Sequence, residues 1–301
     1  MDSNTSEEVT RKFPPFFQLH KDGRVERFTV SGSELEPPAV DPHTGVESKD
    51  VVISPETGLK ARIFLPKINR PDSKKLPLAV HYHGGGFCVN SALDARNAAF
   101  LTRVVSEANA VAVSVDYRLA PEHPLPIAFD DSWSALQWIA AHSNGTGPES
   151  WLNKYVDFGR VFLMGESAGA TLAHHVAVRV GLAPGAVIVH PYFAVNEPDE
   201  MIRFLYPSSS GTESDPKLNP KADLDLGKMG VGRVLVMVAE KDGLKPRGVE
   251  YCETLRNSGW KGEVELVENE GEDHVFFKLN PTGKNASLVI QKLASFINQA
   301  S

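Results

Sequence analysis

Three observations predict an α/β fold with a mostly parallel central sheet and helices on both of its faces. Short apolar runs bounded by turn residues recur at 76–83, 110–116, 160–164, 185–190 and 233–240. Strands buried on both faces read this way. Segments with a 3.6-residue apolar period lie between them, and strands alternating with helices imply right-handed crossovers. The chain has 301 residues and is 42% hydrophobic, enough to bury a large core.

Taken in order, the first 24 residues read as a mobile start that carries an aromatic cluster, Phe13 to Phe17. Lys21-Asp22-Gly23-Arg24 is a turn signal, and residues 24–30 can form a strand. Residues 35–47 are rich in Pro, Asp and Gly and read as loop, followed by short strands at 50–54 and 60–66. After the run at 76–83, Phe100, Leu101, Val104, Val105 and Ala108 mark one face of a helix; Ala128, Trp133, Leu136, Ile139 and Ala140 mark a second. A strand ends at Met164, a helix runs from Ala168 to about Leu182, and a strand covers 185–190. Residues 191–229 read as irregular. A strand at 233–240, a helix around 249–257, a strand at 263–268 and a closing helix through Val289, Leu293, Phe296 and Ile297 complete the chain.

Composition narrows the function. The formal charge is −7 with no block of like charges, which argues against nucleic acid as partner. Two cysteines, Cys88 and Cys252, make no disulfide framework and fit a reducing, cytoplasmic setting. The polar, acidic start Met1 to Glu8 is unlike a signal or transit peptide. No apolar run approaches the roughly 18 residues of a membrane span, and the last residues match no lipidation or peroxisomal tag. Without secretion the N-x-[ST] triplets at Asn4, Asn144 and Asn285 carry no meaning.

Two short segments carry chemistry. Gly165-Glu166-Ser167-Ala168-Gly169 reads G-x-S-x-G between a strand and a helix, a nucleophile elbow that lifts the Ser167 hydroxyl above the sheet. His83-Gly84-Gly85-Gly86-Phe87 reads H-G-G-G after an apolar strand, a loop whose bare backbone can donate to an oxyanion. Gly84, Gly85 and the Ala168 N–H are the expected donors, with His83 and Gly86 as support. A serine hydroxyl also needs a base and an orienting acid, in chain order acid then histidine. Of ten histidines, His274 lies in a late strand-to-helix loop. His190 is its competitor, but it precedes every good acid. Asp242 follows the strand at 233–240, with Glu240 and Asp273 as blander acids. A histidine base must be neutral, so activity should fall below about pH 6.

Other residues receive weaker readings. His81 and His83 share one side of a strand and could pair on a metal, but no third ligand follows at a convincing spacing. The residues imply neither a metal nor a cofactor. In 116–124, Arg118 is expected to pair with Glu122 or Asp116, and Cys88 to sit in a pocket wall. Phe87, Val89, Tyr192 and Phe193 flank the motif loops and are expected to line an apolar cavity. The Phe13 to Phe17 cluster either closes over that cavity or packs on the main domain.

With F-P-P-F-F, K-D-G-R-V-E-R-F, H-G-G-G-F, D-Y-R-L-A-P-E-H-P-L-P, G-E-S-A-G and G-E-D-H-V-F-F on one chain, the sequence resembles the plant carboxylesterases of the hormone-sensitive-lipase-like class. The resemblance covers nearly the whole chain. It implies a single α/β-hydrolase domain over 1–301, with 1–46 and roughly 191–229 contributing a cap. It implies a triad at Ser167, Asp242 and His274, oxyanion donors at Gly84, Gly85 and Ala168, and a small apolar ester as substrate. The class also holds 2-hydroxyisoflavanone dehydratases, alkaloid cyclases and the non-catalytic gibberellin receptors. Dehydratases of the class often carry Thr where Ser167 stands, and the receptors an aliphatic residue where His274 stands; both kept residues favour hydrolysis. Residues 181–207 look shorter than the class implies, which bears on pocket size. Monomer and homodimer are both compatible with the sequence.

Overall fold

The computed structural model describes residues 8–28, 32–68, 74–181 and 183–299. Sequence readings that reach residues 1–7 (the polar start and the Asn4 triplet), 29–30, 182 or 300–301 fall outside these residues. A small antiparallel sheet at the start consists of β1 (Val9–Phe13), β2 (Phe17–His20) and β3 (Val25–Arg27). The main sheet has eight strands: β4 (Glu47–Ser54), β5 (Leu59–Leu65), β6 (Leu76–Tyr82), β7 (Val111–Asp116), β8 (Val156–Glu166), β9 (Ala183–Val189), β10 (Val231–Ala239) and β11 (Glu263–Asn269). Helices α1 (Ala95–Ala108), α2 (Ile127–Ala140), α3 (Ser150–Tyr155), α4 (Ala168–Arg179), α5 (Glu200–Leu205), α6 (Lys245–Asn257), α7 (Phe276–Leu279) and α8 (Lys284–Asn298) complete it.

The strand order is β11-β10-β9-β8-β6-β7-β5-β4, parallel from β11 to β7 and antiparallel where β5 meets β7 and β4. Alternation along the strands sorts the core. Leu78, Val80, Leu163, Ala186, Ile188, Val234 and Val236 face the layer of α2, α4 and α6. Ala79, Phe162, Met164, Val187, Leu235 and Met237 face α1 and α8. Side chains on a strand point alternately to the two faces, so each apolar run feeds both layers. Helix α1 starts where the Asp94 carboxylate accepts the Asn97 N–H and stops at Asn109, which takes the left-handed conformation at φ 46°.

Strand order decides where loops converge. The chain moves from β6 to β7 on one side, then crosses back so that β8 lies on the other side of β6. Crevices at the carboxyl ends of strands open where the order reverses in this way. Tyr82 pairs with Gly165 across the β6–β8 ladder, so the H-G-G-G loop and the Ser167 turn leave the sheet side by side. The segment that looks short leaves β9 intact, in register with both β8 and β10.

From Val9 onward the first strands are packed on the body. Phe13 and Phe17 lie 5.2 Å apart, and Phe13 stacks at 5.2 Å on Phe204 of α5. Phe17, Cys88, Ala120 and Leu205 form one buried cluster that joins β1–β3 to the 191–229 region. Arg27 anchors this sheet to the body, donating to the Cys88 carbonyl at 2.6 Å and pairing with both Glu122 oxygens at 2.8 and 2.7 Å. Strands β1 and β2 carry no strong alternation, and α3, α5 and α7 are too short for a helical period; tertiary packing supplies their order.

Candidate active site

The elbow is built from close approach. Ser167 sits at φ 55°, ψ −122°, between the end of β8 and the first residue of α4. A Cβ on Gly165 would stand 2.1 Å from the Gly169 carbonyl oxygen, and one on Gly169 would stand 2.0 Å from that of Tyr82. Only glycine lets strand, turn and helix approach so closely. The strained backbone at Ser167 is of the kind that clusters at functional sites.

Ser167, His274 and Asp242 come together although 107 and 32 residues separate the successive partners. Ser167 Oγ lies 3.0 Å from His274 Nε2, and His274 Nδ1 lies 2.7 Å from Asp242 Oδ2. Asp242 Oδ1 accepts the Leu244 N–H at 2.8 Å. Burial pushes the Asp242 carboxyl up; the His274 bond, the Leu244 N–H and nearby histidine charge outweigh it and hold the group below the usual carboxylate range. The blander acids are engaged elsewhere, Glu240 with the Gly271 N–H and Asp273 with the His274 N–H, both at 2.7 Å. His190 is buried; its Nδ1 accepts the Val275 N–H at 2.9 Å, and burial drops its pKa to about 4. His190, Asp242 and His274 bring ligand-type atoms within 4.8 Å of one another. The bonds just described commit those of Asp242 and His274 to each other, and His190 Nδ1 to backbone.

The glycine loop corrects one expectation. Gly84 N–H donates to Glu166 Oε1 at 2.7 Å, so it is not available to an oxyanion. Gly85 and Gly86, at φ 123° and 59°, turn the loop, with the Gly85 carbonyl accepting from Cys88 and Val89 at 3.0 Å. Among the described residues neither of these two N–H groups nor that of Ala168 has an acceptor. His83 anchors the loop as expected: its Nδ1 lies 2.8 Å from the Gly84 carbonyl, its own carbonyl accepts the Tyr117 hydroxyl at 2.7 Å, and its ring stacks on Tyr117 at 4.3 Å.

Glu166 is a residue whose role sequence reasoning missed. It lies buried beneath the loop, bonded to Gly84 N–H, to His81 Nε2 at 2.9 Å and to the Lys278 ammonium. His81 Nδ1 in turn lies 2.9 Å from Ser114 Oγ, so both of its ring nitrogens are engaged within the protein. Burial pushes the Glu166 carboxyl up, but Lys278 and His81 outweigh that and hold it well below the usual range. A charged residue directly after the uncharged run Val161 to Gly165 was the available signal, since buried charges need partners.

Lys278→Met would leave the Glu166 carboxylate buried without its cation, at an expected cost of roughly 3–5 kcal/mol in stability by urea denaturation. The sign with pH follows from the depressed carboxyl: its stabilisation is present above the ordinary value of 4.5 and is lost as pH falls toward the folded value. The gap between wild type and Lys278→Met should therefore narrow below pH 4.5.

Ser167 and His274 open into a cavity of about 300 Å³. Val89 lines it as expected, whereas Phe87, Tyr192 and Phe193 do not. Phe87 is fully buried against Phe129 and Tyr192. Tyr192 reaches Asp199 through its hydroxyl and has Arg247 over its ring, and Phe193 packs on His174 and Tyr251. Their place near the motifs in sequence did not reveal which way they turn. The apolar walls come instead from Pro15, Phe16, Phe28 and Leu279. Thus the start of the chain both packs on the body, through Phe13 and Phe17, and reaches the site, through Phe16. Cys88 lies in the cluster beneath β1–β3 rather than in the cavity wall, and burial raises its thiol to about 12. Arg118 pairs with Asp131 at 2.7 Å, not with Glu122 or Asp116. Glu122 is taken by Arg27, and Asp116 accepts from Ser91 and Ala92.

Comparison with known proteins agrees with this fold. The family described as an alpha/beta hydrolase fold matches residues 79–278. Probable carboxylesterase 7 of Arabidopsis thaliana is 43% identical over 95% of this chain and 97% of its own. The 2-hydroxyisoflavanone dehydratase of Glycyrrhiza echinata is 41% identical over 98% of both chains. Among solved structures, a hyperthermophilic esterase of the archaeon Pyrobaculum calidifontis superposes with a TM-score of 0.70 at 27% identity, covering 83% of this chain and 85% of that one. The chain belongs to the α/β-hydrolase family that includes the plant carboxylesterases.

Proposed function

We propose that this protein is a serine carboxylesterase acting on small apolar carboxylic esters, with Ser167 as nucleophile, His274 as base and Asp242 as orienting acid. The observation that carries the reading is the continuous hydrogen-bonded line from Ser167 Oγ through His274 to Asp242 at the mouth of a largely apolar cavity. His274 Nε2 takes the hydroxyl proton as Oγ attacks the ester carbonyl. Asp242 holds Nδ1–H, fixes the tautomer and stabilises the imidazolium. The N–H groups of Gly85, Gly86 and Ala168 receive the negative oxygen of the tetrahedral intermediate. His274 then protonates the leaving alcohol, and water attacks the acyl-enzyme by the same route in reverse.

Segments 1–46 and roughly 191–229 act as the cap of a single domain, with Pro15, Phe16 and Phe28 as its contribution to the cavity. The two unpaired, buried cysteines suit a reducing cytoplasm. Among the described residues no helix is long and apolar enough to cross a membrane.

The likeness to the dehydratase favours a second reading, elimination in the same cavity with His274 as acid and base. One experiment separates the two. Acyl chains of varied length on p-nitrophenol are offered alongside a 2-hydroxyisoflavanone, and the quenched protein is analysed by mass spectrometry. Hydrolysis with acyl mass on the Ser167 peptide is expected. Efficient elimination with no acyl-enzyme would overturn hydrolysis in favour of a lyase.

A further inference from the structure

The cavity around Ser167 carries charges that the ester chemistry does not use. Asp94, Arg96, Glu166 and Lys278 all line it. Three of the four are engaged. Asp94 caps α1, accepting from Asn97 N–H at 2.7 Å and Ser91 N–H at 3.2 Å. Glu166 and Lys278 hold each other, and Lys278 also donates to Asn97 Oδ1. Among the described residues the Arg96 guanidinium has neither a carboxylate within ion-pair distance nor a hydrogen-bond acceptor. Its backbone and stem are nevertheless fixed. Arg96 N–H donates to the Gly32 carbonyl at 3.0 Å, and a Cβ on Gly32 would stand 2.6 Å from Arg96 Cγ. The backbone of residue 32 thus closes against the arginine stem.

An unpaired cation in a cavity whose walls include Phe16, Phe28, Val89 and Leu279 is weakly solvated on its apolar side and strongly attracts an anion placed there. The guanidinium fork matches a carboxylate in two parallel hydrogen bonds. Resting on the esterase reading above, we propose that the preferred substrates are esters that carry a free carboxylate, held by Arg96 while Ser167 attacks the ester carbonyl. Half-esters of dicarboxylic acids and acyl esters of hydroxy acids are the two chemical forms of this class.

The test uses charged esters and their neutral amide twins. 4-Acetoxybenzoate against 4-acetoxybenzamide places the charge on the leaving group. Monophenyl adipate against its terminal amide places it on the acyl group. Each kcat/KM is divided by the hydroxide-catalysed rate of the same ester. At least one charged ester should exceed its twin by about tenfold or more, as expected for a charge-assisted bidentate pair. That ratio should fall toward one in Arg96→Gln, be partly kept in Arg96→Lys and decline with added salt. Because the readout is a ratio, a general loss of activity does not move it. Ratios near one in the wild type, or a ratio kept in Arg96→Gln, overturn the proposal; Ser167-dependent hydrolysis of the neutral twins would show that the esterase reading survives. If no ester is hydrolysed the esterase reading fails. Calorimetric binding of 4-hydroxybenzoate and adipate against their amides, with the same variants, then decides the charge preference by the same ratio.

Discussion

Ser167→Ala is expected to lower kcat for p-nitrophenyl esters by at least about 10⁴-fold, since a triad acts as a unit and loses most of its effect with any member. The fold should persist. Alanine keeps the Cβ and therefore the same strained backbone at φ 55°, and the hydroxyl's hydrogen bond is to His274 at the cavity, not to the core. Thermal melting within a few degrees of wild type, together with loss of labelling by a fluorophosphonate, would assign the change to chemistry. A variant that keeps more than a hundredth of the wild-type rate at unchanged KM would remove Ser167 from the nucleophile role.

Gly85→Ala is expected to be the second largest loss, about 10²–10³ in kcat, the range seen when an oxyanion donor is removed. Two features act together. The φ of 123° is a backbone that side chains rarely adopt, and an added Cβ would stand 2.2 Å from the Val89 carbonyl oxygen, which is backbone and cannot swing away. The turn must open, and its N–H groups leave the place where charge develops. Affinity for a trifluoromethyl ketone, which becomes a hemiketal oxyanion on Ser167, should fall by a similar factor. Loss of kcat with that affinity intact would mean that the loop serves substrate entry rather than charge stabilisation.

The fold was legible because its signals are local and redundant. Apolar runs in β6, β7, β8, β9 and β10 feed both helix layers, and the periods of α1, α2 and α8 have the length that makes them unambiguous. Segments β1, β2 and α5 were not legible. Each is six residues or fewer, and they are ordered by one another through Phe13, Phe17 and Phe204. The site divided along a similar line. Ser167, Asp242 and His274 followed from chain order, and the structure brings them within hydrogen-bond reach. The glycine loop was legible as a loop but not in its wiring. Which N–H is free depends on a carboxylate 82 residues away in the chain.

By itself, then, the sequence determined the fold class, the strand-turn-helix that raises Ser167 and the residue types able to complete its chemistry. These follow from periodicity and from glycines that allow close backbone approach, properties of short stretches of chain. Only the tertiary structure decided that Gly84 serves Glu166, that Phe16 rather than Phe87 or Tyr192 faces the cavity, and that the Arg96 guanidinium, which lines that cavity, has no partner among the described residues. The physical reason is that a polar group's role depends on which other group takes its hydrogen bonds. In this protein those partners arrive from distant strands through the crossing order of the sheet.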